Sequence, residues 1–79
     1  MTRKEAYKRL CTLEGEVFNS EEVIDLLEGY EENGISDIII SSPDFYVVEV
    51  YINHIKSRPF TFVLSEEDER IMAVFDVRL

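Results

Sequence analysis

The chain contains a run of four consecutive acidic residues, Glu66, Glu67, Asp68 and Glu69. Such a run could bind a hard cation, because Ca²⁺ takes several oxygen ligands. An EF-hand loop, however, spaces its acidic ligands at alternate positions and has a glycine at its sixth position, and this run has neither feature. We therefore predict a solvated turn that protects the following apolar strand from aggregation, with Glu66 and Glu67 as candidate contacts for a basic partner and with no bound metal.

Side chains suited to catalysis are scarce in the sequence. The chain has one histidine, His54, and one cysteine, Cys11, which cannot complete a zinc site without carboxylates or a second subunit. Cys11 also falls on the apolar side of the first predicted helix, away from the N-terminal dipole that would activate a thiol. The glycines Gly15, Gly29 and Gly34 are isolated and make no phosphate-binding loop. We predict a protein that is not an enzyme and that uses no cofactor.

A second group of acids follows one face of the second predicted helix. Its members recur at the i, i+4, i+7, i+11 spacing of a single helical stripe: Glu21, Asp25, Glu28 and Glu32. Their rise along the helix steps by about 6, 4.5 and 6 Å, roughly the interval between phosphates along one nucleic-acid strand. The stripe has three interpretations: a solvated face, which the basic side of helix 1 could approach, a partner-binding face, or an imitation of a nucleic-acid backbone.

Length and charge restrict the class of protein. Seventy-nine residues, 46% of them hydrophobic, predict one small globular domain over 1–79 with a thin core. The net charge is −9, and residues 14–34 hold eight acids and no base. Nucleic acid and anionic lipid repel such a chain, so we expect no direct nucleic-acid partner. No apolar run approaches the roughly 20 residues of a membrane span, and the charged start does not resemble a signal peptide, so we expect no membrane partner and a cytoplasmic location.

Two helices are predicted in the first half of the chain. Thr2 and Glu5 have the spacing of a capping box, which places the first helix after Thr2. Asn19 is the predicted N-cap of the second helix, with Glu22 at the third helical position. This helix is predicted to continue to the "ENG" segment, where Gly34 would supply the left-handed residue after its end.

The remaining sequence predicts four strands joined by short connections. The strands are expected over 35–40, 45–53, 59–64 and 71–79, with the segment "SSPD" as the first turn. Short connections favour antiparallel neighbours. We predict an α+β domain in which two N-terminal helices cover one face of a mostly antiparallel meander, in the order ααββββ. The last strand is predicted to lie at an edge that is open to further β-pairing.

Alternation along the strands divides their side chains between two faces. The set predicted to lie under the helices is Ile38, Ile40, Tyr46, Val48, Val50, Ile52, Phe60, Phe62, Leu64, Ile71, Ala73, Phe75 and Val77. The opposite set includes the apolar residues Ile39, Phe45, Val47, Tyr51, Val63, Met72 and Val74. A contiguous apolar patch on a free face indicates an interaction surface. The alternatives are that strand twist scatters these residues, or that helix 1 crosses to this face.

These patterns predict a small, acidic, non-catalytic protein-interaction module of the inhibitor or adaptor type. It is expected to form a homodimer through the apolar sheet face and to bind a protein partner with a basic surface. The predicted partner-binding residues are Val47, Tyr51, Val63 and Val74 on the sheet, with Glu21, Asp25, Glu28, Glu32, Glu66 and Glu67 as acidic contacts. The alternative is an inhibitor that mimics nucleic acid and occupies a DNA- or RNA-binding protein through the acidic face of helix 2.

Overall fold

The computed structural model describes residues 1–77 and contains two helices followed by four strands. Their bounds are α1 (Arg3–Cys11), α2 (Ser20–Leu26), β1 (Ile38–Asp44), β2 (Val47–Ile52), β3 (Phe60–Leu64) and β4 (Ile71–Asp76). The strands lie in the order β1-β2-β3-β4, and each pair of neighbours is antiparallel. This architecture confirms the predicted α+β fold with N-terminal helices and a meander sheet.

The core lies between the two helices and one face of the sheet. The central strands contribute alternate residues to this face: Val48, Val50, Ile52, Phe60, Phe62 and Leu64, all buried. Ala6 and Leu10 from α1 and Val23 from α2 are fully buried against them. Both helices therefore cover the same side of the sheet, as predicted, and α1 does not cross to the other face.

Local capping begins both helices where the sequence predicts. The Thr2 hydroxyl accepts from the Glu5 backbone N–H at 3.2 Å, and the Glu5 carboxylate accepts from the Thr2 backbone N–H at 3.2 Å. These hydrogen bonds with Thr2 lower the pKa of Glu5. At α2 the Asn19 side chain accepts from the backbone N–H of Glu21 at 2.9 Å. Each helix thus gains partners for its first unpaired donors.

The predicted extent of the second helix is wrong. α2 has seven residues and ends at Leu26, so it does not reach the "ENG" segment. Asn33 and Gly34 instead occupy the centre of a tight turn, with φ of 53° and 76°. Glu32 and Ile35 flank this turn and exchange two backbone hydrogen bonds of 2.9 and 3.0 Å. Positive φ at both central positions is the type I′ geometry that Asn-Gly favours, so the dipeptide forms a turn here and does not end a helix.

The turn between β1 and β2 lies later in the chain than predicted. β1 continues through the "SSPD" segment to Asp44, and the turn is formed by Phe45 and Tyr46, with Asp44 paired to Val47. The register is irregular between Ser41 and Asp44. β1 is an edge strand, and a proline is tolerated at an edge or a bulge because its missing N–H breaks no ladder there. Tyr46, predicted to lie under the helices, is 37% exposed at this turn.

The predicted faces of β4 are also wrong. The register shifts where β4 begins to pair with β3, so that Phe62 lies opposite Val74 and Thr61 opposite Phe75. Paired residues of antiparallel strands share a face. Val74 therefore faces the helices and is 3% exposed, whereas Phe75 is 51% exposed on the other side. An extra residue in one strand reverses all later side chains, which alternation alone does not show.

The same register shift makes the predicted sheet faces of two further residues wrong. Ala73 lies opposite Val63, so it points away from the helices and not towards them. Val77, also predicted to lie in the core, is 41% exposed. The last two residues of the predicted fourth strand, 78–79, lie outside the described residues.

Candidate functional site

The side chains that could catalyse a reaction do not converge in the described chain. His54 is exposed, and its Nδ1 accepts from the Lys56 backbone N–H at 3.0 Å, so it stabilises a turn. Cys11 is half-buried and packs against the hydrophobic core. Within residues 1–77, no group of three or more histidine, cysteine, aspartate or glutamate side chains is arranged to hold a metal ion.

The acid run Glu66–Glu69 lies in the turn between β3 and β4, which is the structural context that the sequence predicts. The Ser65 hydroxyl accepts from the Glu67 backbone N–H at 3.2 Å, and the Ser65 backbone N–H donates to the Arg70 carbonyl at 2.8 Å. Arg70 Nε lies 3.0 Å from Asp68 Oδ2. One acid of the run is therefore neutralised within the turn, while Glu66 and Glu67 are exposed to solvent.

The predicted acidic stripe does not exist as a single helical face. Glu21 and Asp25 lie on α2, but Glu28 lies in the turn that follows the helix. Glu32 lies further along the chain, where it pairs with Arg3 and accepts a hydrogen bond from the Tyr30 hydroxyl at 2.8 Å. The carboxylates that would imitate a row of phosphates are thus divided among three different local structures.

Arg3 forms a half-buried junction that the sequence did not indicate. Its guanidinium pairs with Glu32, donates from Nε to Asp76 Oδ1 at 2.8 Å and donates from Nη2 to the Arg58 carbonyl at 3.0 Å. It also lies over the Phe60 ring, with Cζ 4.3 Å from the ring centroid. The junction joins α1 to β4 and to two loops, so its role is structural.

The junction also shifts two pKa values. Burial lowers the pKa of Arg3, but its hydrogen bond with Asp76 and the charges of Asp76 and Glu32 outweigh burial, so the pKa is raised. Burial, followed by the neighbouring Glu32 carboxylate, raises the pKa of Tyr30 to about 12. Neither shift changes the charge of its group at neutral pH, where the guanidinium is charged and the phenol neutral in any case, so the Tyr30 shift matters only in alkaline solution.

The sheet surface opposite the helices, here called the open face, is mainly apolar. By the strand register its apolar members are Ile39, Val47, Tyr51, Val63, Ala73 and Phe75, and its polar members are Ser41, Asp44, Glu49 and Thr61. Neither helix covers it. Most of its side chains are half-buried by their neighbours in the sheet, although Phe75 is 51% exposed and Tyr51 only 9%. Burial, followed by the adjacent Glu49 carboxylate, raises the pKa of Tyr51.

Three of the four sheet residues predicted to bind a partner lie on this face. Val47 and Val63 are directly opposite each other in the register, and Tyr51 lies on the same side of β2. Val74, the fourth, belongs to the core. Ala73 and Phe75 take its place, and the alternation pattern missed them because the register shift at the start of β4 reverses their direction.

The two edges of the sheet differ in their cover. At the β4 edge, the Gly15 backbone N–H donates to the Ile71 carbonyl, and the Ile71 N–H donates to the Glu16 carbonyl, both at 2.8 Å. Further along, the Tyr7 hydroxyl donates to the Val74 carbonyl at 2.9 Å. β4 is an edge strand, as predicted, but the α1 segment occupies much of the edge that was expected to be open. β1 forms the other edge, and β2 is its only partner strand in the described chain.

Among residues 1–77, no helix has both the length and the apolar character needed to cross a membrane. The chain matches no protein-family model, no curated protein and no solved structure.

Proposed function

We propose that this protein is a non-catalytic protein-interaction module that self-associates by packing the open face of one copy against the open face of another. The observation that carries the proposal is the apolar composition of a sheet face that neither helix covers. Large apolar patches on a soluble domain are typical of interaction sites. The chemistry of the face favours another apolar sheet over a polar ligand, since Val47, Val63 and Ala73 form a continuous cross-strand row.

The dimensions of the open face favour a weak dimer. Four strands about 4.8 Å apart and about five residues long give a face of roughly 19 by 17 Å. Stable interfaces bury upwards of about 1,000 Å² of surface area in total. Two such faces approach this area only if side chains at their rims also make contact. Met72 and Phe75 are 65% and 51% exposed and are candidates for that contribution. We therefore expect a dimer that dissociates on dilution.

Charge gives the proposed dimer a distinctive salt dependence. Each copy carries a net charge of −9, so two copies repel each other at long range. On the open face itself, Glu49 lies between Ser41 and Thr61 in the strand register, and Asp44 lies opposite Val47 at one end. Salt screens the repulsion between whole copies and leaves apolar contact intact, so added salt is expected to strengthen the association.

We extend this proposal to a protein partner with a basic surface, because the surface of the chain is acidic. We also extend it to an inhibitor or adaptor role, because the side chains of the types used in catalysis lie far apart. A cytoplasmic location stays a proposal, consistent with a single cysteine that cannot form an internal disulfide. The nucleic-acid-mimic alternative stays a hypothesis, and the geometry does not favour it, since α2 carries only Glu21 and Asp25 of the four carboxylates that it requires.

The test is the molar mass in solution, measured by light scattering over a range of concentrations at low and high salt. We expect the mass to rise from monomer towards dimer with concentration, and at lower concentrations when salt is added. Val63→Lys, at the centre of the open face, should weaken the association at least about tenfold, because it places a charge in an apolar contact.

The matched control is Val17→Lys, because Val17 is 50% exposed and lies outside the open face. It makes the same chemical change and should leave the association intact. A wild-type chain that stays monomeric at every concentration and salt would contradict the proposal. So would a Val63→Lys variant that is folded by circular dichroism and associates as strongly as the control.

A further inference from the structure

The outer edge of β1 presents unpaired backbone groups. The Asn53 backbone N–H donates to the Asp37 carbonyl at 2.7 Å, which fixes the phase of the β1–β2 ladder. Hydrogen-bonded and outward-facing residues alternate along an antiparallel edge strand, so Asp37 and Ile39 face β2, while Ile38 and Ile40 direct their N–H and C=O groups outward. No hydrogen bond from elsewhere in residues 1–77 reaches these outward groups. The edge can therefore accept another strand.

An acidic groove of about 360 Å³ runs between this edge and α2. Its lining residues are Ile24, Asp25, Leu27, Glu28, Gly29, Ser36 and Ile38. Asp25 and Glu28 are exposed, and neither makes an ion pair within the described part of the chain. Ile24 is 45% exposed at the same place. The groove thus combines unpaired negative charge with apolar surface directly beside unpaired backbone groups.

We propose that β1 and this groove bind an extended, basic segment of a partner protein, which adds to the sheet as a fifth strand. Backbone hydrogen bonds to Ile38 and Ile40 would supply the sequence-independent part of the affinity, as in other cases of β-strand addition. Side chains of an added strand alternate between the two faces of the sheet. Lysine or arginine on one face would meet Asp25 and Glu28, and apolar residues on the other would extend the open face beside Ile39.

The length of the binding segment follows from β1 itself. The register becomes irregular after Ser41, and Pro43 has no N–H to offer an incoming strand. The regular edge therefore spans residues 37–41, about 17 Å of extended chain. A partner segment of about five to seven residues would fill it.

Charge complementarity decides between a partner and a second copy at this edge. Antiparallel pairing of β1 with β1 of another copy would place two acidic grooves, each with Asp25 and Glu28, on the same face of one joined sheet, and no base lines either groove. Like charges juxtaposed across an interface are destabilising. A basic segment gains from the same two carboxylates, so we infer that the occupant is a basic partner. The inference rests on the proposed function only in treating the chain as a protein-binding module, and it does not require the dimer.

The test uses the full chain and a nine-residue probe peptide of alternating lysine and valine with blocked ends. Binding is followed by amide chemical shifts and calorimetry at low salt. We expect saturable binding with the largest shifts at Ile38, Ile40 and residues of the groove. The same peptide N-methylated at alternate residues loses its backbone donors on one side and should bind at least about tenfold more weakly. A glutamate–valine peptide should not bind.

Two double variants separate the groove from general electrostatics. Asp25→Lys with Glu28→Lys should weaken peptide binding at least about tenfold. Glu14→Lys with Glu16→Lys changes the net charge by the same amount beside the opposite, β4 edge of the sheet and should change binding less than about twofold. Each titration is repeated in Val63→Lys, so that loss of self-association and loss of peptide binding are measured separately.

Several outcomes would overturn the inference. Equal loss of binding in the two double variants would mean attraction to the net charge alone. Undiminished binding of the N-methylated peptide, or shifts confined to the open face, would exclude strand addition at β1. Shifts of Ile38 and Ile40 that depend on protein concentration without peptide would mean that a second copy occupies the edge.

Discussion

The two edges of the sheet have the same backbone chemistry, but the rest of the chain covers them to different extents. At the β4 edge, residues of α1 and of the loop after it occupy outward-facing groups: Gly15 and Glu16 bond to Ile71, and Tyr7 bonds to Val74. At the β1 edge, only β2 pairs with the strand in the described chain. In this domain α1 and the loop after it cover much of one edge, and no other segment of residues 1–77 pairs with the outer side of β1.

Two groups of charged side chains near these edges also differ. Near the β4 edge, Arg3 connects Glu32 and Asp76 and stacks on Phe60, so its charge is paired. Beside β1, the carboxylates of Asp25 and Glu28 make no ion pair within residues 1–77. The partly buried carboxylates of the Arg3 junction are therefore paired, and the two exposed carboxylates beside β1 are not. Stability and recognition are expected to respond to different substitutions.

The largest expected effect concerns the protected side. Arg3→Ala removes the guanidinium and leaves Glu32 and Asp76 partly buried without it. We expect a loss of about 2–3 kcal/mol in the free energy of unfolding, below the roughly 3–5 kcal/mol of a fully buried pair, because the Arg3 side chain is 17% exposed. Urea denaturation measures this loss in the free energy of unfolding. Lys8→Ala, on the exposed face of the same helix, should change the free energy by less than about 0.5 kcal/mol.

Equal destabilisation by the two variants would show that the junction contributes no more than an exposed base. Arg3→Lys sharpens the result, because lysine keeps the charge but loses the planar fork that contacts several acceptors. We expect it to recover only part of the loss. Full recovery would mean that charge alone, and not the geometry of the guanidinium, connects α1 to β4.

A smaller effect is expected from the pH dependence of the same junction. Tyr30 is 4% exposed, and its pKa is raised from 10.0 to about 12. A pKa that is higher in the folded state than in the unfolded state contributes stability that is complete below pH 10.0 and is lost as the pH rises towards 12. We expect the loss to be on the order of 2 kcal/mol over this window.

Denaturation of wild type and Tyr30→Phe at several alkaline pH values isolates this contribution. The difference between their free energies of unfolding should decrease as the pH rises, because the variant has no phenol to ionise at this position. Tyr46→Phe, in the exposed turn between β1 and β2, is the control for removing a tyrosine hydroxyl. A difference between wild type and Tyr30→Phe that stays constant with pH would contradict the prediction.

The smallest perturbation compares the two edges without any substitution. The Ile71 amide, bonded to the Glu16 carbonyl, should exchange with solvent slowly, whereas the outward amides of Ile38 and Ile40 should exchange at least about tenfold faster. Ile39 serves as an internal reference on β1, since its amide is expected to face β2. Hydrogen exchange followed by NMR in dilute solution measures all four. Slow exchange at Ile38 and Ile40 would show that the β1 edge is covered in solution.

Local sequence signals predicted the elements of this fold well. Thr2 and Asn19 fix the starts of the helices because their side-chain oxygens bond to backbone donors within three residues. The acid run after Ser65 was predicted as a turn, and it is one. Short connections between apolar strands leave few arrangements other than an antiparallel meander. These features depend on neighbours in sequence, so the sequence was sufficient to find them.

The candidate surfaces were predicted only in part. Alternation placed Val47, Tyr51 and Val63 on the open face, because β2 and β3 keep a regular register with each other. It misplaced Val74 and Phe75, since a single register shift next to Ile71 exchanges the two faces of β4. A period of two gives no sign of such a shift until the partner strand is known.

What the sequence by itself determined is therefore the set of elements, their order and the apolar character of both sheet faces. The tertiary structure alone decided where the acids of the predicted stripe lie and which sheet edge is covered. Asn-Gly can follow a helix or form a tight turn, and here Glu32 beside it pairs with Arg3, 29 residues away. Arg3 also reaches Asp76 across 73 residues, and Arg70 reaches the Gly15 carbonyl across 55. Contacts at such separations form only when the chain has folded, so no local pattern encodes them.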